Sequence, residues 1–206
     1  VTVTRNKFLT QQVLTATGLP CPVKVFVNAA SGLYQAVERV GGYPVLVKPV
    51  SGRQGSGLLR LADADALRRQ ALPILNRRHG LLVQRFHPPQ QRQDIRALVI
   101  GGELVCAATL TPAKGDFRAN FHIAGQIRST DLSDDLGRLA VDAARAVGCD
   151  IAGVDLMVDG GGRPVVVEVN YSPGFKGLEA ASGLDIAGRM IRFAAARHLQ
   201  SERHGK

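Results

Sequence analysis

The sequence predicts an α+β fold built on antiparallel sheets. Two hairpins and the helices mixed among them carry the prediction. Residues 94–100 and 103–110 are apolar runs joined by Gly101-Gly102, and residues 151–158 and 163–170 are joined at a turn centred on Gly161-Gly162. Paired glycines accept the positive φ that tight hairpin turns require. Amphipathic helical segments over 133–148 and 185–199 interleave with these strands, so antiparallel sheets with helices on one side are expected.

The remaining elements follow in order. Thr4 caps a helix that runs to Thr17 and stops at Gly18-Leu19-Pro20. A short strand covers 23–27, and Ser31 opens a helix ended by Gly41-Gly42. Residues 43–50 (YPVLVKPV) and 58–61 are strands on either side of a glycine loop, 51–57. A helix over about 63–78 carries Pro73 as a kink or break. Residues 81–86 form a strand, and 87–92 (HPPQQR) a turn-rich connector. Residues 114–125 form a polar loop over a site, Pro173-Gly174 marks another loop, and 198–206 read as a frayed tail. The organisation expected is a subdomain over 1–82 with the glycine loop, a second over 83–200 with a metal site, and a basic tail over 201–206.

Composition bounds the function. The chain has 206 residues, 45% of them hydrophobic, which is enough for one good core or two small ones. No apolar run reaches the roughly 18 residues of a membrane span. Three scattered cysteines without C-x-x-C spacing argue against disulfide and zinc frameworks and suit a reducing cytoplasm. The net charge of +9 suits an anionic partner. No basic-aromatic interleaving or zinc-finger spacing supports nucleic acid. The chain opens on Val1 rather than Met, as a fragment or trimmed chain would.

The chemistry concentrates in DLMVDGGGRPVVVEVN, residues 155–170. A two-residue turn at Gly161-Gly162 sets Asp155 opposite Glu168, and Asn170 shares the Glu168 face. Three hard oxygen donors on one sheet face suit Mg²⁺ bound to phosphates. A solvent-facing hairpin side is the competing reading, and Glu168 within Val165-Val166-Val167 and Val169 weighs against it. The loop holding Ser51, Gly52, Gly55, Ser56 and Gly57 is small enough to let backbone N–H groups cradle an anion, and it is not a Walker A loop. Lys48, within an apolar strand, requires an anionic partner or an edge facing water. Asp94 and Arg96 point to one face, as an internal ion pair or a binding surface. Arg118 and Asn120 sit in KGDFRAN, either a mobile surface loop or a cation aimed at a transferring phosphoryl group. No cysteine or serine nucleophile is apparent.

Taken in order, Arg5-Asn6-Lys7, VLVKPVSGRQGSG, LLVQRF, QDIRALVIGGELV, KGDFRANFH, IAGVDLMV, VVVEVNYSPG and GLDIAGRMI resemble the ATP-grasp superfamily, and within it the RimK-type amino-acid ligases, over nearly the whole chain. The resemblance implies two α+β subdomains with antiparallel sheets clasping ATP. It implies Lys7, Lys48 and the glycine loop at the phosphates, Gln84, Arg85, Phe86 and His87 at adenine, and Asp94 at the ribose. Arg118 and Asn120 would face the γ-phosphate and the reacting carboxylate, and Asp155, Glu168 and Asn170 would hold two Mg²⁺ ions, or Mn²⁺. It also implies a cytoplasmic ligase, often an assembly, that forms an amide through an acyl phosphate. Its substrates would be L-glutamate and a carboxylate acceptor, such as an acidic protein C-terminus. The same chemistry on a small-molecule or carrier-protein acceptor is the alternative, and a non-catalytic nucleotide- or nucleic-acid-binding module is the alternative of another class. Three positions depart from the pattern. Arg85 stands for an acidic residue, Ile123-Ala124-Gly125 replaces Arg-Gly-Gly, and Lys176 replaces an acidic residue. The family's further N-terminal domain is not in this chain.

Overall fold

The computed structural model describes residues 2–50, 57–76, 78–119 and 124–204. The smaller of its two sheets contains β1 (Lys24–Val27), β2 (Val45–Pro49), β3 (Leu59–Leu61) and β4 (Leu81–Arg85), in the order β1-β4-β2-β3. The larger contains β5 (Arg92–Ile100), β6 (Glu103–Pro112), β7 (Ala124–Ser129), β8 (Ile151–Asp159) and β9 (Pro164–Asn170), in the order β7-β6-β5-β8-β9. Every pairing is antiparallel.

Alternation along the strands decides what each face does. In the small sheet, Val45 and Val47 are buried with Leu61, Leu81 and Val83 against α3 (Ala30–Arg39). The register sets Leu46 and Lys24 beside Gln84, and Lys48 beside Leu82, on the opposite face. In the large sheet, Ile95, Ala97 and Val99 pack with α5 (Asp134–Ala146) and with Leu14 of α2 (Lys7–Ala16). Leu98 and Ile100 point the other way, towards Leu178 of α6 (Lys176–Ser182) and Ile186 of α7 (Ile186–His204). The large sheet is therefore covered on both faces, which corrects the expectation of helices on one side. On the α6/α7 face the cover reaches Leu98 and Ile100, and the same strand continues past it through Arg96, Asp94 and Arg92.

Local chemistry accounts for other departures from the expected elements. Asn6, not Thr4, caps α2: its side chain accepts from the Phe8 and Leu9 amides, and Thr2–Arg5 forms a separate short helix, α1. The helix expected over 63–78 is only α4 (Ala64–Ala66) and a π-helical turn, Leu67–Ala71; Leu72 before Pro73 keeps helical backbone, but Pro73 has no N–H to donate, so the hydrogen-bond ladder stops there. Strand β7 and helix α6 were not legible. The expected tail is mostly helix, since α7 continues to His204.

The β8–β9 turn contains three residues, Gly160 to Gly162, closed by the Asp159 N–H donating to the Arg163 carbonyl at 3.0 Å. Pairing near the turn is shifted by one from the expected register, with Met157 facing Val165. A bulge at Val167 absorbs the shift, and Asp155 faces Glu168.

Candidate active site

A cleft of about 790 Å³ opens between the two sheets. The small sheet brings Lys48, Gln84 and Arg85 to it, and the large sheet brings Asp94, Arg96, Asp155, Glu168 and Asn170. Lys7 enters from the first turn of α2, whose start is tied to the small sheet by the Lys7 N–H donating to the Val50 carbonyl at 3.0 Å. His87 and Arg118 complete the walls. Phe86 is buried, with the Arg60 guanidinium 4.8 Å from its ring centroid and Phe117 edge-on at 5.7 Å. Gly57 is described at φ +73°, where an added Cβ would come within 2.9 Å of Pro49 Cγ. Ser51, Gly52, Gly55, Ser56 and Asn120 lie outside the described residues.

The oxygen donors share one face. Asp155 pairs with Glu168 across β8 and β9, and Asn170 pairs with Gly153 two residues along. The Asn170 amide donates to Asp155 Oδ2 at 3.2 Å. Lys7 Nζ holds Glu168 Oε1 at 2.6 Å. Arg96 binds Asp155 with both arms, Nε to Oδ1 at 2.5 Å and Nη2 to Oδ2 at 2.9 Å. Asp94 and Arg96 share a face as expected but do not pair with each other. Asp94 takes Arg92, with Nε 2.8 Å from Oδ2, while Arg96 takes Asp155. The donor set is two carboxylates and an amide, all oxygen. That suits a hard ion such as Mg²⁺ better than zinc.

Burial sets the protonation of these groups. Burial pushes the Asp155 carboxyl up, and Arg96 opposes it. Burial likewise raises Asp94 against the pull of Arg92. Burial would raise Glu168 as well, yet Lys7, Lys48 and Lys24 together hold it below its ordinary value. Lys48, whose ammonium donates to Gln84 Oε1 at 3.3 Å, is pulled down to about 7 by burial and by its neighbour Lys24. A low-dielectric pocket containing several lysines gains from an incoming anion. Arg118 rests bidentate on Asp116, Nη2 to Oδ2 at 2.7 Å, with its side chain 38% exposed and lining the cleft.

Sequence reasoning passed over three of these residues and one partnership. Lys24 is lowered to about 8 by burial, and its ammonium donates to the Val167 carbonyl at 2.8 Å, joining the small sheet to the β9 bulge. Arg92 was read as part of a connector, although its i,i+2 spacing from Asp94 was a usable signal. Asp116 and the Arg96–Asp155 partnership required the fold, since the latter joins residues 59 apart in sequence.

Residues 4–194 match the RimK-like ATP-grasp domain. The probable alpha-L-glutamate ligase of Serratia proteamaculans strain 568 is 37% identical over 201 residues, covering 96% of this chain and 65% of the relative. The ribosomal protein bS6–L-glutamate ligase of Shigella boydii serotype 4 is 38% identical over 193 residues, covering 92% of this chain and 63% of the relative. The probable alpha-L-glutamate ligase of Shewanella pealeana is 36% identical over 191 residues, covering 93% of this chain and 42% of the relative. The chain thus spans between 42% and 65% of the length of these three relatives. Among solved structures, D-alanine–D-alanine ligase from Bacillus anthracis superposes with a TM-score of 0.75 at 19% identity, over 99% of this chain and 70% of that one. The ATP-grasp ligase PsnB, solved with a minimal precursor, gives 0.72 at 24% identity, over 94% of this chain and 62% of that one. At these identities the structural likeness is one of fold.

Proposed function

Because the chain belongs to the RimK-like ATP-grasp family, we propose that it is an ATP- and Mg²⁺-dependent ligase that adds L-glutamate to a carboxylate-ended protein or peptide. The observation that carries this reading is the opposition, across one cleft, of Lys48 and Gln84 from one sheet to Asp155, Glu168 and Asn170 from the other. Cations on one wall and oxygen donors on the facing wall match a metal-bound polyphosphate, whose oxygens need both.

In this reading the hinge strand at Gln84, Arg85, Phe86 and His87 holds the base, and Asp94 accepts from the ribose hydroxyls. Lys7, Lys48 and the loop over 51–57 hold the phosphates. Asp155, Glu168 and Asn170 would hold Mg²⁺, as two ions or with Mn²⁺ in its place, and the metal would supply neutralising charge during phosphoryl transfer. Lys7 and Glu168 are now each other's counter-ion at 2.6 Å. With nucleotide and metal bound, Lys7 would take a phosphate and Glu168 the metal as partner, so neither charge would be left buried alone. Arg118, with Asn120, faces the γ-phosphate and the carboxylate under attack. The acceptor carboxylate attacks the γ-phosphorus of ATP, ADP leaves and an acyl phosphate forms. The neutral glutamate amine then attacks the acyl carbonyl, and an amide forms as phosphate leaves and the amine's proton passes to phosphate or water. Positioning and charge neutralisation suffice, and no covalent enzyme intermediate is required.

Relatives named as bS6–L-glutamate ligases support a protein C-terminus as acceptor and glutamate as the added residue. Lys176, exposed just beyond the cleft-lining residues 172–174, gives that end of the site a cation and suits an acidic acceptor. We place the reaction in the cytoplasm, where ATP is abundant and unpaired thiols persist. We likewise divide the chain into two subdomains that close on the nucleotide, with the boundary after β4 (Leu81–Arg85), which a break at residue 82 would cut.

The test is a mass spectrum of the chain with Mg-ATP, L-glutamate and a peptide ending in glutamate, with Glu168→Ala as control. A ladder of glutamate additions, absent from the control, is expected. An unmodified peptide with ADP released would move the acceptor to a small molecule or carrier protein. ADP formation undiminished in Glu168→Ala would overturn the metal assignment.

A further inference from the structure

Arg92 is a heavily engaged side chain in the cleft to which no role has been given. Its side chain is only 8% exposed. Its Nε sits 2.8 and 3.1 Å from the two Asp94 carboxylate oxygens. Its Nη1 donates to the His87 carbonyl, and its Nη2 donates to the Phe117 carbonyl at 2.7 Å. These three partners lie on three separate pieces of chain. His87 follows the last strand of the small sheet, Asp94 lies on β5, and Phe117 precedes Arg118 in the loop that leaves β6. The Phe86 and Phe117 rings, edge-on at 5.7 Å, join the hinge to that loop a second time.

We propose that Arg92 is a positioning residue that couples the base-and-ribose end of the nucleotide site to the alignment of Arg118 at the phosphate end. The inference rests on the ATP reading above. The physical argument is that a guanidinium presents several N–H donors in one rigid plane. When one plane is fixed to three groups, moving any of them disturbs the other two. A nucleotide that settles the hinge backbone at His87 and the carboxylate of Asp94 also settles the Phe117 carbonyl, and therefore the backbone from which Arg118 extends. Without the clamp, Arg118 retains Asp116 as its partner, with Nε 3.0 Å from Oδ1 and Nη2 2.7 Å from Oδ2. The Asp116 amide is tied to the Ala113 carbonyl at 2.9 Å, so the loop is a unit that can be held from one point.

The experiment compares wild type, Arg92→Met and Arg92→Lys by three readouts. These are the affinity for Mg-ATP, the rate of ADP formation at saturating Mg-ATP, and amide hydrogen exchange of residues 113–119 with and without saturating Mg-ATP. In wild type, Mg-ATP is expected to slow exchange over 113–119. In Arg92→Met, at nucleotide concentrations that fill the site, that protection is lost and ADP formation falls by about 10- to 100-fold, the range seen when a residue supporting a site is removed. Arg92→Lys keeps a charged bond to Asp94 but cannot span three partners. Its affinity is expected within about threefold of wild type, while protection and rate stay low, because lysine is a point charge and not a fork. This split separates coupling from a merely structural role. Unchanged nucleotide-induced protection in Arg92→Met overturns the proposal, and so does full recovery of rate by lysine. If wild type binds Mg-ATP but forms no ADP, the ligase reading fails while the exchange readout still decides on Arg92. If wild type does not bind Mg-ATP, both fall together.

Discussion

Replacing Arg96 by Met should be among the most damaging single changes outside the apolar cores. Arg96 is cross-strand neighbour to Asp155 in the β5–β8 register and holds both carboxylate oxygens, at 2.5 and 2.9 Å. The two side chains are 5% and 21% exposed, so water compensates little for the loss of either. Removing one partner of a buried pair costs about 3–5 kcal/mol, because the other charge is left unpaired. For a chain of this size that is a fall in Tm of roughly 6–20 °C. The loss has a pH signature. Asp155 is already raised by burial, with Arg96 as the chief opposing influence. In the variant its carboxyl rises further above the unfolded value. A group raised in this way destabilises the fold when ionised, and the penalty is relieved as pH falls and the proton returns. The gap between wild type and variant should therefore narrow from pH 7 towards pH 5. Urea unfolding at several pH values, in a double-mutant cycle with Asp155→Asn, measures it. A loss below about 1 kcal/mol, no more than an exposed pair contributes, would refute the reasoning. So would an equal loss in the Asp155→Asn background.

Three further outcomes are expected. Lys48→Met should stabilise the free protein at neutral pH while destroying Mg-ATP affinity. The lysine is held at about 7 in the fold against 10.5 unfolded, so its charging penalty is complete below pH 7, shrinks between pH 7 and 10.5 and is gone only above that. Thermal scans should show the variant's advantage shrinking as pH rises through that window, and a variant less stable at every pH would contradict the burial argument. Asp94→Asn should raise the Kd for Mg-ATP by roughly 10- to 100-fold, the worth of a hydrogen bond to a charged group, with ADP formation at saturation nearly unchanged, because the asparagine carbonyl still accepts from Arg92 Nε and keeps that anchor. Calorimetric titration beside a steady-state assay separates the two, and an unchanged Kd would remove Asp94 from the ribose site. Gly153→Ala would bring a Cβ within 2.8 Å of Pro173 Cβ and 3.1 Å of Arg96 Nη1, so it should cost about 1–3 kcal/mol by overpacking and weaken Mg-ATP binding. An unfolding midpoint equal to wild type would show that the loop after β9 yields freely.

Local sequence determined the strands other than β7, most helix stops and the face on which the oxygen donors lie. Those features depend on period-two alternation, on glycine and proline, and on capping side chains within a few residues of each other. The expected pairing of Asp155 with Glu168 was right, though by a different route. The turn has one more residue than expected, and the bulge at Val167 cancels the difference. A bulge depends on how the strand bends to meet its neighbours, so a local pattern does not announce it. The strand VLVKP, residues 45–49, was legible as a strand. That Lys48 faces a cleft and not open water depends on the second sheet closing over it.

Only the tertiary structure decided the charge partners. Asp94 and Arg96 stand two apart on one strand and were natural candidates for each other. The structure instead pairs Asp94 with Arg92, the alternate neighbour on its other side along β5, and Arg96 with Asp155, which the β5–β8 register sets directly opposite it although 59 residues away in sequence. The same holds for Lys24, whose ammonium meets a carbonyl 143 residues away. The placement of α6 and α7 over only part of the large sheet was also beyond local reading. It left Arg92, Asp94, Arg96 and Asp155 beside a cleft, and so made a binding wall of what the alternation alone could identify only as a polar strand face.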